Sequence, residues 1–395
     1  ERVRFFLETI FFQKLNKMTM KKIQMVDLKS QYEKIKNTVN ASIQEVLETN
    51  AYINGPQVHQ FQKSLEEYLD VKHVIPCANG TDALQIAMMG LDLKSGDEVI
   101  TADFTFAATV EVIALLQLVP VLVDVDMYNM NISIEGIKKA ITPKTKAIVP
   151  VHLFGRAANM EAIMAIAKEH NLYVIEDNAQ AIGANCKFSD GSKKKAGTIG
   201  HVGATSFFPS KNLGCYGDGG AIFTNDDALA HKLRGIVNHG MYERYHHDVV
   251  GVNSRLDSIQ AAVLNAKLPL LDQYSRARQE AARKYSIAFE GHENITAPTI
   301  CAVCDCHVFH QYTLRIINAD RNGLMQHLLD KGIPCAIYYP IPLHSQKAYL
   351  DSRYKEEDFP VTNQLVKEVL SLPMHTELDD EQIKFITDSV LEFLK

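Results

Sequence analysis

The sequence predicts an α/β fold: a mostly parallel sheet of roughly seven strands, helices on both faces, and a smaller α+β domain at the C-terminal end. Two observations carry the prediction. From residue 73 onward, short β-branched runs alternate with helical patterns. After residue 200 that rhythm breaks into two strand-like runs separated by glycines. HVIPCAN (73–79), EVITADF (98–104), VPVLVDVD (119–126), AIVPVHLF (147–154) and YVIEDNA (173–179) are apolar on both faces, as strands buried in a parallel sheet are. Between them TDALQIAMMGL (81–91) and MEAIMAIAKEHN (160–171) read as helices, so right-handed strand–helix–strand crossovers follow. ATSFFP (204–209) and GAIFTN (220–225) are close enough to pair antiparallel. Residues 226–290 read as mostly helical, with the long pattern through RLDSIQAAVLNAKLPLLDQYSRARQEAARKYSIAFE bridging two domains. The remainder mixes strand patterns (HQYTLRII, PCAIYYP) with helical ones (GLMQHLLDKG, DEQIKFITDSVLEFL). The expected division is a large domain over 21–260 and a bridging helix with a small domain over 261–395. Residues 21–60 are able to pack with the small domain. Residues 1–20 read as an extension foreign to the fold. The KKK run at 193–195 reads as a solvated loop.

Composition narrows the function. The chain has 395 residues, of which 46% are hydrophobic, enough to exclude global disorder. A net charge of −6 argues against nucleic acid as the main partner, because phosphate backbones need a basic surface. No run of about 18 apolar residues is present, so no membrane span is expected. Seven scattered cysteines point to a reducing, cytoplasmic setting rather than a disulfide framework. Cys301, Cys304 and Cys306, with His307 and His310, have a zinc-like look. No second cysteine pair lies at zinc-finger spacing, so a variable surface loop is expected and no metal.

Three segments place chemistry beyond the carboxyl ends of strands, where open α/β sheets bind ligands. Asn79-Gly80-Thr81-Asp82 opens a helix; its free N–H groups suit a phosphate, and an ordinary N-cap is the alternative. Asp177 ends an apolar strand, where a carboxylate needs a cationic partner or several donors. A protonated ring nitrogen of a cofactor would serve, and a helix cap is the alternative. Lys211 stands between the aromatic Phe207-Phe208 and a glycine-rich run through Gly214, Gly217, Gly219 and Gly220. A desolvated lysine has a lowered pKa and attacks aldehydes. A phosphate cradle, an acid for a ring nitrogen and a Schiff-base lysine together describe what pyridoxal phosphate requires. There is no GxGxxG after the first strand and no GxxxxGK[ST] in the chain, which weakens dinucleotide and P-loop readings.

At these residues the chain resembles a known family. NGTDALQ (79–85), GDEVITADFTFAAT (96–109), VIEDNAQAIGA (174–184), SFFPSKNLGCYGDGGAIFTND (206–226), GVNSRLDSIQAA (251–262) and YYPIPLHSQ (338–346) resemble, in order, the motifs of the DegT/DnrJ/EryC1/StrS sugar aminotransferases. The resemblance implies an aspartate aminotransferase-like fold (pyridoxal-phosphate fold type I) and a homodimer with shared active sites. It implies that Lys211 holds the cofactor and moves the proton, Asp177 pairs with the ring nitrogen, and Gln180 bonds the 3-oxygen. It gives Phe106 a stacking role, and Gly80, Thr81 and Ser206 a phosphate role; Asn253 would reach the neighbouring subunit's cofactor. A dehydratase branch carries His where this chain has Lys211, so transamination is favoured. A non-catalytic sensor on the same fold is the alternative class.

The stretch HGMYERYHHDVVGVNSRLD (239–257) and YPIPLHSQ look most like the subgroup acting on UDP-2-acetamido-2-deoxy-3-oxo-glucuronate with L-glutamate as donor, in surface polysaccharide and lipopolysaccharide biosynthesis. That makes Arg244, His246 and His247 candidates for a diphosphate or sugar carboxylate, since Arg is bidentate toward both. Tyr338 and Tyr339 are further substrate candidates. Tyr338 stands where some relatives have His and adds no positive charge, so a neutral dTDP- or UDP-linked 3- or 4-keto-6-deoxysugar remains the alternative substrate.

Overall fold

The computed structural model describes residues 21–299 and 306–395; the expected extension lies outside these residues. The predicted sheet is present. Its strands are β1 (His73–Cys77), β2 (Glu98–Ala102), β3 (Val119–Val123), β4 (Thr145–Val149), β5 (Tyr173–Asp177), β8 (Val202–Ser206) and β9 (Gly220–Thr224), with the short strands β6 (Asn185–Lys187) and β7 (Lys193–Lys195) forming a separate hairpin. The 7-stranded order is β1-β9-β8-β5-β4-β2-β3. β2–β3, β2–β4, β4–β5 and β5–β8 pair in parallel, and β9 runs antiparallel to both its neighbours. The KKK run is therefore not a loop: Lys193–Lys195 pairs antiparallel with Asn185–Lys187. A turn through Asp190 and Gly191, at φ 85°, closes a hairpin that pattern reading of three lysines does not reveal.

Each helix begins where its capping chemistry begins. In the helix Gly80–Gly90, Asn79 accepts the Asp82 amide through its side chain at 2.8 Å, and Asp82 complements the dipole of the first turn. In the helix Met160–His170, Asn159 caps the start and Asn171, at φ 54°, ends it in the left-handed region. These helices and their fellows cover both sheet faces. One face is packed by Ile100, Ile148, Val174, Ile163 and Ile166; the other by Ile75, Val99, Val149, Ile175, Ala87 and Leu233.

The expected helical stretch 226–290 is interrupted. It contains the helix Asp227–Ile236, a small hairpin of β10 (Met241–Glu243) and β11 (His246–His247), and the helices Ser258–Lys267 and Leu271–Ala288. Pro269, in a tight turn at Leu268–Leu270, separates the last two. Val263 of the first packs with Ile35 and Val39 of the N-terminal helix Leu28–Thr49. Leu271 still belongs to the large domain's core, whereas Ala281, Ala282 and Tyr285 enter the small domain's core. The helix Leu271–Ala288 therefore runs from one core into the other. Of the N-terminal segment, Ile23 packs into the small-domain core and Phe61 and Leu65 into the large one.

In the small domain, β12 (Ile295–Thr296), β13 (Tyr312–Ile316) and β14 (Val369–Leu372) form an antiparallel sheet backed by the helices Arg321–Asp330 and Asp380–Phe393. PCAIYYP is not a strand. Only Ala336 bridges to Ser371, and the chain then leaves the sheet through a cis Tyr338–Tyr339 peptide. Its apolar run serves the domain junction instead, where Ile337, Tyr338 and Tyr339 pack on the large-domain core.

Candidate active site

Asp177 is the last residue of β5 and 5% exposed. Its Oδ2 accepts the Thr109 hydroxyl at 2.8 Å and its Oδ1 accepts the Ala179 amide at 3.1 Å. No cation pairs with it among the described residues. A buried carboxylate with two neutral donors keeps spare acceptor capacity, which is the property a protonated ring nitrogen needs. Thr109, on the helix Ala108–Leu115, was not among the residues expected from sequence. It lies inside the GDEVITADFTFAAT stretch, but a threonine in an apolar helix carries no signal of its own.

Lys211 follows β8 in a turn held by its own amide, which donates to the Phe208 carbonyl at 2.8 Å. The turn is pinned on both sides. Asn212 Nδ2 donates to the Val308 carbonyl at 2.9 Å, and Cys215 N donates to the Phe207 carbonyl at 2.8 Å. The buried Lys267 ammonium donates to the Gly214 carbonyl at 2.7 Å and sits 4.5 Å from the centre of the Tyr216 ring. Desolvation pushes the Lys211 ammonium down to about 8, and the Asp177 carboxylate pulls against it. That coupling places the two groups in one electrostatic neighbourhood. Because the folded value lies below the usual 10.5, the folded chain releases this proton first. Stability of the cofactor-free protein therefore gains from this group as pH rises through the window above about 8. Reaction of cofactor-free protein with a pyridoxal aldehyde is expected to accelerate with pH and reach half its plateau near 8, the value for Lys211. Stopped-flow absorbance across pH 6–10 measures it, and a midpoint near the ordinary lysine value of ~10.4 would contradict it.

Gly80 opens a helix whose first-turn amides lack intrahelical partners. A Cβ there would stand 2.6 Å from the Ser206 Cβ and 3.3 Å from its Oγ. Ser206 Oγ accepts the Phe208 amide at 3.2 Å, leaving its hydrogen free for an anion. Gly80, Thr81 and Ser206 thus form a cradle with donors and little space. Gly80→Ala is expected to raise the cofactor dissociation constant roughly 10- to 100-fold, the equivalent of about 1–3 kcal/mol of overpacking; fluorescence titration checks it.

Gln180 is held at both ends. Its Oε1 accepts the Phe154 amide at 2.6 Å, and its Nε2 donates to the Tyr339 hydroxyl at 3.0 Å. The second Nε2 hydrogen stays available. The Tyr339 ring lies 6.1 Å from both Phe104 and Phe106, and Phe106 is 57% exposed, open to stack on a ligand. Tyr338 is half-buried beside it, 6.0 Å between ring centres.

The other expected substrate residues are not gathered with these. Arg244, His246 and His247 lie exposed on the β10–β11 hairpin. Arg244 stacks on Tyr245 at 5.0 Å, and His247 Nδ1 sits 2.8 Å from the His239 carbonyl. Asn253 is also exposed, bridging to Asn238. Cys301 and Cys304 lie outside the described residues. Cys306 is disulfide-bonded, while Cys77, Cys215 and Cys335 are free thiols, so the cysteine count alone does not carry the reducing-compartment expectation. His307 stacks on Phe309 at 3.8 Å, and burial pushes it down to about 3. Among the described residues no group of three or more His, Cys, Asp or Glu is arranged to hold a metal ion, and no helix is long and apolar enough to cross a membrane.

Residues 33–391 match the model of the DegT/DnrJ/EryC1/StrS aminotransferase family, and the chain belongs to it. The chain is 46% identical over 364 residues, 92% of its own length and 98% of the other, to the UDP-2-acetamido-2-deoxy-3-oxo-D-glucuronate aminotransferase of Pseudomonas aeruginosa. It is 44% identical over 361 residues, 91% and 95% of the two lengths, to the UDP-N-acetyl-3-dehydro-alpha-D-glucosamine 3-aminotransferase of Acidithiobacillus ferrooxidans. Among solved structures, Streptomyces venezuelae DesV, captured with a ketimine intermediate, superposes with a TM-score of 0.90 at 36% identity, covering 95% of this chain and 99% of that one. The aspartate aminotransferase-like architecture expected from sequence is therefore the observed one.

Proposed function

We propose that the protein is a pyridoxal-phosphate-dependent aminotransferase that moves an amino group from L-glutamate to C3 of a UDP-linked 3-keto sugar, with UDP-2-acetamido-2-deoxy-3-oxo-glucuronate as the favoured acceptor. The observation that carries the reading is the buried Asp177 carboxylate, held by two neutral donors and coupled through its charge to the desolvated Lys211 amine. The residues fit the cofactor: Gly80, Thr81 and Ser206 for the phosphate, Asp177 for the ring nitrogen, Gln180 for the 3-oxygen, Phe106 for the ring face, Lys211 for the aldehyde. When bound, pyridoxal phosphate carries the amino group between donor and acceptor and withdraws electrons from the carbon being deprotonated. Lys211 Nζ, once displaced by an incoming amine, takes the proton from donor Cα and later delivers one to the sugar carbon; a pKa near 8 suits both directions at neutral pH. The Asp177 carboxylate would pair with the cofactor's ring nitrogen. The aromatic wall of Phe104, Phe106 and Tyr339 keeps water from one side.

Arg244, His246, His247 and Asn253 are exposed, free to complete a neighbour's site in a homodimer, the arginine facing a diphosphate or carboxylate. The names of the two relatives at 46% and 44% identity support a UDP-3-keto sugar. Tyr338 and Tyr339 then bond sugar hydroxyls. The setting of the reaction is the cytoplasm, during lipopolysaccharide or other surface polysaccharide synthesis. The deciding experiment is a pair of half-reactions. Glutamate should convert the cofactor to pyridoxamine phosphate, and the UDP-3-keto sugar should restore it. Turnover only of dTDP-linked 6-deoxy keto sugars would sink the substrate assignment.

A further inference from the structure

Asp103 and His344 form a buried joint that the chemistry above does not use. Asp103 directly follows β2 and has no exposure. Its Oδ1 accepts the His344 amide at 2.7 Å, and its Oδ2 lies 2.7 Å from His344 Nδ1. The Asp103 carbonyl also accepts the Leu343 amide at 3.3 Å. The imidazole lies flat on Phe359, with ring centres 4.4 Å apart and planes at 8°. Hydrogen bonds to an ionised carboxylate are short and directional, so the joint fixes both chains that leave it.

Those chains lead to the site from opposite sides. Just past Asp103 come Phe104 and Phe106. Just before His344, across Pro340 and Pro342, comes Tyr339; both prolines restrict the strap between them. The two chains meet again where the Tyr339 ring lies 6.1 Å from Phe104 and 6.1 Å from Phe106. There the Tyr339 hydroxyl accepts from Gln180 Nε2 at 3.0 Å. The result is a closed ring of contacts: β2 end, aromatic wall, Tyr339, proline strap, His344, Asp103.

We infer that Asp103 and His344 are positioning residues for Tyr339: by clamping the 339–344 strap to the end of β2, they set the hydroxyl that orients Gln180 and the ring that closes the wall beside Phe106. A joint that served only to hold the domains together would lower the melting point and leave the site's own properties alone. A positioning clamp also changes what Tyr339 and Gln180 touch. The kinetic arm of the test rests on the proposed function; the spectroscopic arm requires only that pyridoxal phosphate binds.

The experiment compares holoenzyme of Asp103→Leu, Asp103→Asn, Tyr339→Phe and the double variant Asp103→Leu/Tyr339→Phe. Asp103→Asn can still accept the His344 amide and donate to Nδ1 of the other tautomer, so it should lie within about threefold of wild type in keto-sugar kcat/KM and keep the cofactor's absorption maximum. Asp103→Leu should lose about 10-fold or more, the scale of a broken buried hydrogen bond. It should shift the absorption maximum in the same direction as Tyr339→Phe. The double variant should fall well short of the product of the two single losses, because part of the Asp103→Leu loss runs through the Tyr339 hydroxyl that the second substitution has already removed. Effects that multiply, or an Asp103→Leu enzyme with wild-type band and kinetics, overturn the clamp. Should Asp103→Leu not fold, His344→Phe keeps the stack on Phe359 while removing the Nδ1 contact to Asp103 Oδ2, and the same comparison is made with it. A wild-type protein showing no cofactor band overturns the functional reading. A normal wild-type band with multiplying effects overturns the clamp alone.

Discussion

Lys211→Ala is expected to abolish the absorption band of the bound cofactor and to lower transamination by roughly 10²- to 10⁴-fold, the contribution of a positioned general acid–base. Two losses combine. The only amine that reaches the cofactor's aldehyde in this reading disappears, so the cofactor is held by its phosphate and ring contacts alone. The proton transfer between carbon centres then has no group to carry it. The neighbours do not replace it: Lys267 has its ammonium on the Gly214 carbonyl and the Tyr216 ring, and burial pushes His310 well below its ordinary value, with Lys211 and Arg278 pressing it the same way. Borohydride reduction followed by mass analysis supplies an independent check, since wild type should gain the cofactor's mass on the peptide holding Lys211. A Lys211→Ala protein that keeps the band would show that another amine is the anchor. One that keeps turnover would remove the transaminase mechanism altogether.

What sequence made legible divides along a physical line. Strands were readable because their signals are local. A β-branched run makes a buried strand, and a lysine between aromatics and glycines makes a desolvated amine. The correspondence is close at β1, β2 and β5. The parts that were not readable depend on distant partners. Thr109 matters because its hydroxyl reaches Asp177 across 68 positions of chain. Asp103 and His344 meet across 241. PCAIYYP has the composition of a strand, but only Ala336 finds a ladder partner in Ser371, and the tyrosines turn to the domain junction instead. The KKK run fails in the opposite sense. Its charge suggested a loop, while the run pairs with Asn185–Lys187 and two of its ammonium groups find aromatic faces, Lys194 Nζ 5.9 Å from the Phe188 ring centre and Lys195 Nζ 4.9 Å from that of Tyr68. The hairpin carrying Arg244, His246 and His247 lies inside a stretch that reads as mostly helical, because two short strands of polar residues carry no alternation to mark them.

Asp177→Asn is expected to leave the fold and cofactor binding largely intact and to cut the rate by about three orders of magnitude. The amide fills the same volume, and its oxygen can still accept the Ala179 amide that now donates to Oδ1 at 3.1 Å. What it lacks is the charge. A unit charge about 4 Å from a protonated ring nitrogen, at an effective dielectric of about 20, contributes roughly 4 kcal/mol, and that difference is about 10³-fold in rate. Thr109→Val separates charge from hydrogen bonding: it removes the donor at 2.8 Å from Oδ2 but leaves the carboxylate, so a loss of about tenfold is expected. The same substitution of Asp177 makes a second, signed prediction. Asp177 raises the Lys211 value against the pull of burial. Without it the amine should titrate lower, and cofactor loading should reach its half-plateau below about 8. Rate and loading must therefore move oppositely at neutral pH: slower turnover, faster capture of the aldehyde. A merely damaged site would lose both, and a carboxylate remote from the lysine would change neither the loading midpoint nor its direction.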